Sequence, residues 1–77
     1  MMDAVLLTRR DPARNMARFY LVSIERSLFG DHAVLRCWGR LGTKGRSRID
    51  LYAGAEQAAS RMTRLVRAKL KRGYVTG

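Results

Sequence analysis

Five basic side chains surround a single tryptophan in the middle of the sequence, and this set has the chemistry to bind a polyanion. A guanidinium group can hold a phosphate through two parallel hydrogen bonds. An indole ring offers a flat surface on which a base or a sugar can stack. The candidate nucleic-acid-binding residues are Arg36, Trp38, Arg40, Lys44, Arg46 and Arg48.

Each part of this set also has a plainer interpretation. A tryptophan in a small domain is often a core residue. A run of arginines on a strand is often a solvated face or protects a sheet edge. An arginine-rich genome would account for the preference for arginine, since only Lys44, Lys69 and Lys71 are lysines among the 16 basic residues. It would not account for the net charge, which favours the binding interpretation.

The other reactive side chains do not form a catalytic or metal-binding set. Cys37 and His32 are each the single residue of their type, and the acidic residues are scattered along the chain. A zinc site needs about four ligands, and an odd separation places two strand residues on opposite faces. We therefore expect no enzyme activity, no metal and no cofactor, with Cys37 as a buried small hydrophobic residue and His32 at the surface.

Composition predicts a small, strongly basic, globular protein. The chain has 77 residues, 47% of them hydrophobic, and carries a net charge of +10 with a pI near 11.3. A chain of this length builds one modest core, so residues 1–77 are interpreted as a single domain. No apolar run approaches the ~20 residues of a membrane span, and no signal peptide is recognisable. We expect a cytoplasmic protein that does not bind membranes.

Turn signals divide the chain into short segments with the composition of strands, followed by one segment of different character. Glycine stands at both ends of the loop 42–45, which is typical of a hairpin with positive φ angles. From Ala55 to Leu70 the apolar residues recur at helical spacing, and Gly73 supplies a stop signal. The predicted strands are residues 4–8, 18–26, 33–41 and 46–52, with a short edge strand after Tyr74.

The predicted architecture is α+β: a small antiparallel sheet of four to five strands, with one amphipathic helix packed on one face. Side chains alternate along a strand, so Leu35 and Cys37 share one face with Ile49 and Leu51. If these apolar residues contact the helix, the face without a helix carries Arg36, Trp38, Arg40, Arg46 and Arg48.

The order of these residues resembles the WGR domain, a module named for its Trp-Gly-Arg signature. Trp38-Gly39-Arg40 is followed by a hydrophobic residue, a glycine, a variable pair and Gly45, as in the family. A Phe-Tyr strand upstream also matches, and so does a downstream helix with an alanine, an apolar position and a late lysine that closes in Gly-Tyr. The matching residues are Phe19, Tyr20, Ala58, Met62, Lys69, Gly73 and Tyr74.

The resemblance implies a small antiparallel sheet with one helix and a role in recognising DNA. WGR domains occur in poly(ADP-ribose) polymerases that sense DNA breaks. There the signature Trp packs on the sugar or base at a broken end, and the signature Arg makes DNA and interdomain contacts. Those roles would fall on Trp38 and Arg40. The chain departs from the family at Met62, where Phe is frequent, and its 77 residues include no catalytic or zinc-finger domain.

Two functions remain open at this point. The first is a non-enzymatic module whose basic Trp/Arg face binds the backbone and the strand ends of a nucleic acid, DNA rather than RNA. The second is a protein-interaction adaptor that docks on a larger partner, for which Phe29 in a turn is a candidate anchor. We expect a monomer or a weak dimer in either case.

Overall fold

The computed structural model describes residues 3–27 and 29–77, which form a five-stranded antiparallel sheet with one helix packed against it. The predicted α+β architecture is therefore confirmed. The domain predicted over residues 1–77 extends to Met1, Met2 and Leu28, which lie outside the described residues. The elements are β1 (Asp3–Asp11), a 3-10 turn (Pro12–Arg14), β2 (Met16–Arg26), β3 (His32–Arg40), β4 (Arg46–Tyr52), α1 (Ala55–Lys71) and β5 (Val75–Thr76).

The sheet is a meander to which the last strand returns after the helix. Its spatial order is β4-β3-β2-β1-β5, and β5 pairs with the middle of β1. β1 is longer than predicted because the hairpin to β2 closes only at the 3-10 turn, where Asn15 adopts a left-handed φ of 51°. The register aligns Leu7, Tyr20, Trp38 and Arg46 in one row across four strands.

Helix α1 has well-defined ends. At its start, the side-chain oxygen of Gln57 accepts a hydrogen bond of 3.3 Å from the Gly54 amide. At its end, Gly73 has a φ of 95°, and the Tyr74 amide reaches back to the Lys69 carbonyl at 3.1 Å. This glycine-centred end turns the chain back on the sheet. No helix within the described ranges is long and apolar enough to cross a membrane.

The core lies between α1 and one face of the sheet. Ala58 and Met62 are the buried residues of the helix, and Leu65 and Val66 pack at its margin. Ala58 is fully buried, and its small side chain lets the helix approach the strands closely. The buried cluster consists of Leu7, Tyr20, Val22, Val34, Ala58, Met62 and Tyr74.

The prediction of which sheet face the helix covers was wrong. Val34, Arg36 and Trp38 have the same parity on β3, and Val34 is fully buried in the core beneath α1. Leu35 and Cys37 instead belong to the uncovered face and are half-buried. On β4, Ile49 and Leu51 are 61% and 60% exposed, although both were expected to pack against the helix. The tryptophan and its arginines therefore share the helix side.

The error has a physical cause, which is that both faces of the sheet are apolar. Leu6 and Leu7 point to opposite faces of β1, as do Leu21 and Val22 on β2. Alternation decides which residues share a face, but it does not decide which face the helix selects. The side with the larger rings, Tyr20 and Trp38 among them, packs against α1.

Two glycines shape the β3–β4 loop, as predicted. Gly42 and Gly45 have φ angles of 88° and 68°. A Cβ atom at Gly45 would clash with the carbonyl oxygen of Trp38 and lie 2.9 Å from the ring of Phe19, whereas a Cβ atom at Gly42 would meet nothing within 4 Å. Of these two glycines, Gly45 is therefore the one that combines a strained backbone angle with a steric conflict.

Replacing Gly45 by Ala should destabilise the fold far more than replacing Gly42. A side chain at positive φ costs about 1–3 kcal/mol, and we expect Gly45→Ala to exceed that range because of its backbone clash, while Gly42→Ala stays near its lower end. Urea unfolding followed by tryptophan fluorescence measures both. Equal losses of unfolding free energy in the two variants would contradict the close approach of Gly45 to Trp38.

Candidate nucleic-acid interface

Trp38 lies at the edge of the core, where the C-terminal half of α1 passes over β2 and β3. The side chain is half-buried and packs against the core cluster. It lines an open cavity of about 280 Å³ between the helix and the sheet, which we call the Trp38 cavity. Its lining residues are Tyr20, Arg36, Trp38, Leu65, Ala68, Lys69 and Arg72.

Arg36 is held in this cavity by an ion pair across the strands. Its Nη2 atom donates to Oδ2 of Asp50 at 3.0 Å, and the two side chains are only 14% and 22% exposed. Arg48 donates from Nε to the other oxygen of Asp50 at 3.2 Å but stays 64% exposed. One carboxylate thus serves two guanidinium groups, which leaves a surplus of positive charge.

Lys69 brings a second, partly buried cation to the cavity from α1. Its Nζ atom lies 4.8 Å from the ring centre of Tyr20 and 5.2 Å from that of Tyr74. Burial lowers the pKa of Lys69, and the charges of Arg72, Arg18 and Arg36 lower it further. The two aromatic faces favour the ammonium group, but the surrounding cations oppose it.

The polar atoms beneath this cluster are incompletely paired. Within the described residues, the Tyr20 hydroxyl and the Nε atom of Arg36 are buried without a hydrogen-bond partner. Burial raises the pKa of Tyr20, while the adjacent Arg36 side chain, by hydrogen-bonding proximity and by its charge, and the charge of Arg61 act in the opposite direction.

Arg40 lies at the end of the sheet rather than in the Trp38 cavity. Its guanidinium donates to the backbone oxygen and to the side-chain oxygen of Asn15, both at 3.3 Å. It also lines a small pocket with Arg14 and Arg18 at the β1–β2 turn. Arg18 faces Arg40 directly in the strand register. The charge of Arg18 also lowers the pKa of Lys69.

The structure brings most of the predicted residues to one side of the sheet but gives them different environments. Arg46 is exposed and pairs with Trp38 in register, and Arg48 pairs with Arg36. Lys44 is exposed in the loop between β3 and β4. These side chains do not form the helix-free basic face that was predicted, because α1 covers part of that face.

Sequence reasoning did not place two basic residues beside the tryptophan, Lys69 and Arg72, or a third on the same sheet face, Arg18. Lys69 lies in the last turn of α1, Arg72 is the residue that caps the end of the helix, and Arg18 lies on β2. A signal existed in each case. Lys69 and Arg72 are three positions apart and follow Leu65 on one helix face, and Arg18 has the same strand parity as Tyr20.

Comparison with known proteins places the chain in a family. The WGR domain model matches residues 3–77. The chain belongs to the WGR family. The WGR domain is a non-catalytic module of the nucleic-acid-binding type that occurs in poly(ADP-ribose) polymerases. Its signature, Trp38-Gly39-Arg40, lies at the end of β3.

Relatives of this WGR domain are longer proteins. It is 52% identical over 66 residues to the uncharacterized protein y4dW of Sinorhizobium fredii, covering 86% of this chain and 32% of that protein. It is 45% identical over 38 residues to the protein YehF of Escherichia coli, covering 49% of this chain and 14% of that protein. The chain thus spans about a third or less of the curated relatives that it matches.

A solved structure shares the fold of this WGR domain. A crystal structure of a protein from Bacteroides fragilis superimposes with a TM-score of 0.77 at 24% identity. The match covers 97% of this chain and 19% of that one. At this level of identity the likeness concerns the fold alone. Among the described residues, no group of three or more His, Cys, Asp or Glu side chains is placed to hold a metal ion.

Lys69 should titrate at a lower pH in the folded domain than in the same chain unfolded in urea, since burial and three cations lower its pKa. Because its surroundings disfavour the charged amine, protonated Lys69 destabilises the fold. The contribution of Lys69 to the unfolding free energy therefore increases as the pH rises from the folded pKa to the ordinary one. NMR of ¹³C-dimethylated lysines measures the shift, with Lys69→Arg to assign the signal. A folded pKa at or above the unfolded value would contradict the cationic environment.

Proposed function

We propose that this WGR domain binds DNA without catalysing a reaction, and that it prefers strand ends, nicks and gaps to continuous duplex. The single observation that carries the proposal is the convergence of Arg36, Lys69 and Arg72 beside a half-buried tryptophan, with the charge of Arg18 acting on Lys69 from the adjoining pocket. Like charges held together in this way repel one another, and a polyanion relieves the repulsion.

The electrostatic part of binding rests on the surplus of cations over acids. Asp50 compensates one of the two arginines that it contacts, and the domain as a whole carries +10. Phosphates that replace this missing negative charge release condensed counterions from the DNA, which drives association. Contacts of this kind fix the position of the backbone without reading its sequence.

Trp38 provides the preference for interrupted strands. Its indole is only half-buried, and the cavity beside it is open to solvent. Inside a continuous duplex the bases are stacked on both sides, so neither a base face nor the inner side of a sugar is free. A terminal nucleotide at an end or nick exposes these surfaces, and stacking on an aromatic side chain contributes about 1–3 kcal/mol.

The remaining predicted residues extend the phosphate path away from Trp38. Arg46 and Arg48 lie beside it on β4, and Lys44 projects from the adjoining loop. Arg40 is oriented by Asn15 at the end of the sheet, where Arg14 and Arg18 add charge. The choice of DNA over RNA is supported by the family, whose polymerases act at DNA breaks.

Trp38→Ala should weaken binding to a nicked DNA dumbbell by about 5- to 150-fold, which corresponds to the loss of one stacking contact. Binding to the same dumbbell without a nick should remain in the range of roughly 10⁻⁴–10⁻⁶ M that is typical of non-specific contacts. Fluorescence polarisation with both probes, a single strand and an RNA duplex gives the comparison. Trp38→Phe keeps a ring in the same packing and serves as the control for folding. Equal losses on nicked and closed DNA would remove the stacking role.

Lys69→Gln and Arg72→Gln should each reduce the salt dependence of binding. Neutralising one duplex phosphate contributes about 0.9 to the slope of log affinity against log salt, so each variant should lower the slope by about that amount. Lys71→Gln is the matched control, because Lys71 is exposed and does not line the cavity. The idea fails if all three variants change the slope equally, or if the parent domain shows no salt dependence.

A further inference from the structure

The face of the sheet opposite α1 is apolar and uncovered. Leu21 and Leu6 are 37% and 44% exposed, and Ile49, Leu51 and Val75 are 60% exposed or more. Half-buried Leu35 and Cys37 lie between them. We call this surface the open face. A contiguous apolar patch on a protein with 29% charged residues marks an interaction site.

We propose that the open face pairs with the open face of a second copy of this chain, giving a two-fold dimer in which two sheets pack face to face. Aligned sheets of this kind lie about 10 Å apart and share one core between them. The proposal is independent of DNA binding, since the candidate interface is on the other side of the sheet.

The distribution of charge favours a second copy as the partner. Among the described strand residues of the open face, the charged side chains are Arg10 and Glu25, both exposed. The basic cluster and α1 lie on the far side, so in the dimer the two positive surfaces are separated by two sheets. With layers ~10 Å apart, the two basic surfaces lie roughly 30 Å from each other. This separation exceeds the ~8 Å screening length at physiological salt, so two strongly basic chains can approach.

The two charged residues of the face also fix the orientation of the pair. Arg10 lies near the end of β1 at the 3-10 turn, and Glu25 lies near the opposite end of the sheet on β2. A two-fold axis in the plane of the interface and perpendicular to the strands brings Glu25 of each copy to the Arg10 end of the other. An axis parallel to the strands would oppose like charges. The face is therefore complementary to itself in the first arrangement.

The size of the face predicts a weak dimer. Four strands spaced ~4.8 Å apart, with lengths of seven to eleven residues, give roughly 450–700 Å² of sheet per copy at ~3.3 Å per residue. The pair therefore buries about 900–1,400 Å², at the lower end of specific interfaces. We expect dissociation constants of about 1–100 μM.

Sedimentation equilibrium of the 77-residue chain between about 1 μM and about 1 mM should show a monomer–dimer equilibrium in nuclease-treated, DNA-free solution. Leu51→Glu and Ile49→Lys should abolish it, and both side chains are exposed enough in the monomer for folding to persist. Phe29→Ser is the matched control, because Phe29 is 92% exposed but lies in the β2–β3 turn. A monomer throughout this range, or a dimer that survives both charged variants, would overturn the proposal and leave the face to a different protein.

A charge exchange tests the orientation. Arg10→Glu and Glu25→Arg should each weaken the dimer about two- to five-fold, as for an exposed ion pair, and the double variant should restore it. If repulsion between the two basic copies were all that mattered, Arg10→Glu would instead strengthen the dimer by lowering the net charge. That result would refute the paired arrangement.

The thiol of Cys37 provides a readout at the centre of the face. Its register row contains Leu6, Leu21 and Ser47, so a dimer formed through the open face should shield it from a thiol reagent. The rate of modification should fall as protein concentration rises through the dissociation constant, and should be independent of concentration in Leu51→Glu. A dimer whose Cys37 reacts as fast as in the monomer would place the interface elsewhere.

Discussion

The packing of α1 on the Val34 side of the sheet is the constraint from which the other features follow. Ala58 is fully buried and brings the helix close to the strands, where Met62 completes the contact. Because Trp38 and Arg36 have the same parity as Val34, they lie at the margin of this core. The same choice leaves the leucines and isoleucine of the other parity uncovered. One helix therefore determines the environment of both sheet faces.

The margin of the core concentrates positive charge at a cost to stability. Lys69 stands over two aromatic rings with arginines on several sides, and buried polar atoms of Tyr20 and Arg36 lack partners among the described residues. Asp50 offsets part of this charge. Such strain is common at sites whose ligand supplies the missing interactions. In the proposed function, phosphate supplies them, and the exposed part of the indole meets the terminal nucleotide.

The two faces of the sheet suit two different kinds of partner. One presents cations around a ring, which favours a polyanion, and the other presents aliphatic side chains with a single charge of each sign near its ends. Their separation by the thickness of the sheet allows both to be occupied together. A face-to-face dimer would direct two DNA-binding surfaces outward, so that one assembly could contact two DNA segments.

The sequence by itself determined the elements and the family. Glycines at positions 42, 45 and 73 marked the turns, helical spacing after Ala55 marked α1, and the Trp-Gly-Arg signature identified the WGR domain. Strand parity also determined that Arg36, Trp38, Arg46 and Arg48 share a side. The tertiary structure alone decided which side α1 covers. Alternation relates residues within a strand, but when both faces are apolar, only the fit of particular side chains against the helix distinguishes them.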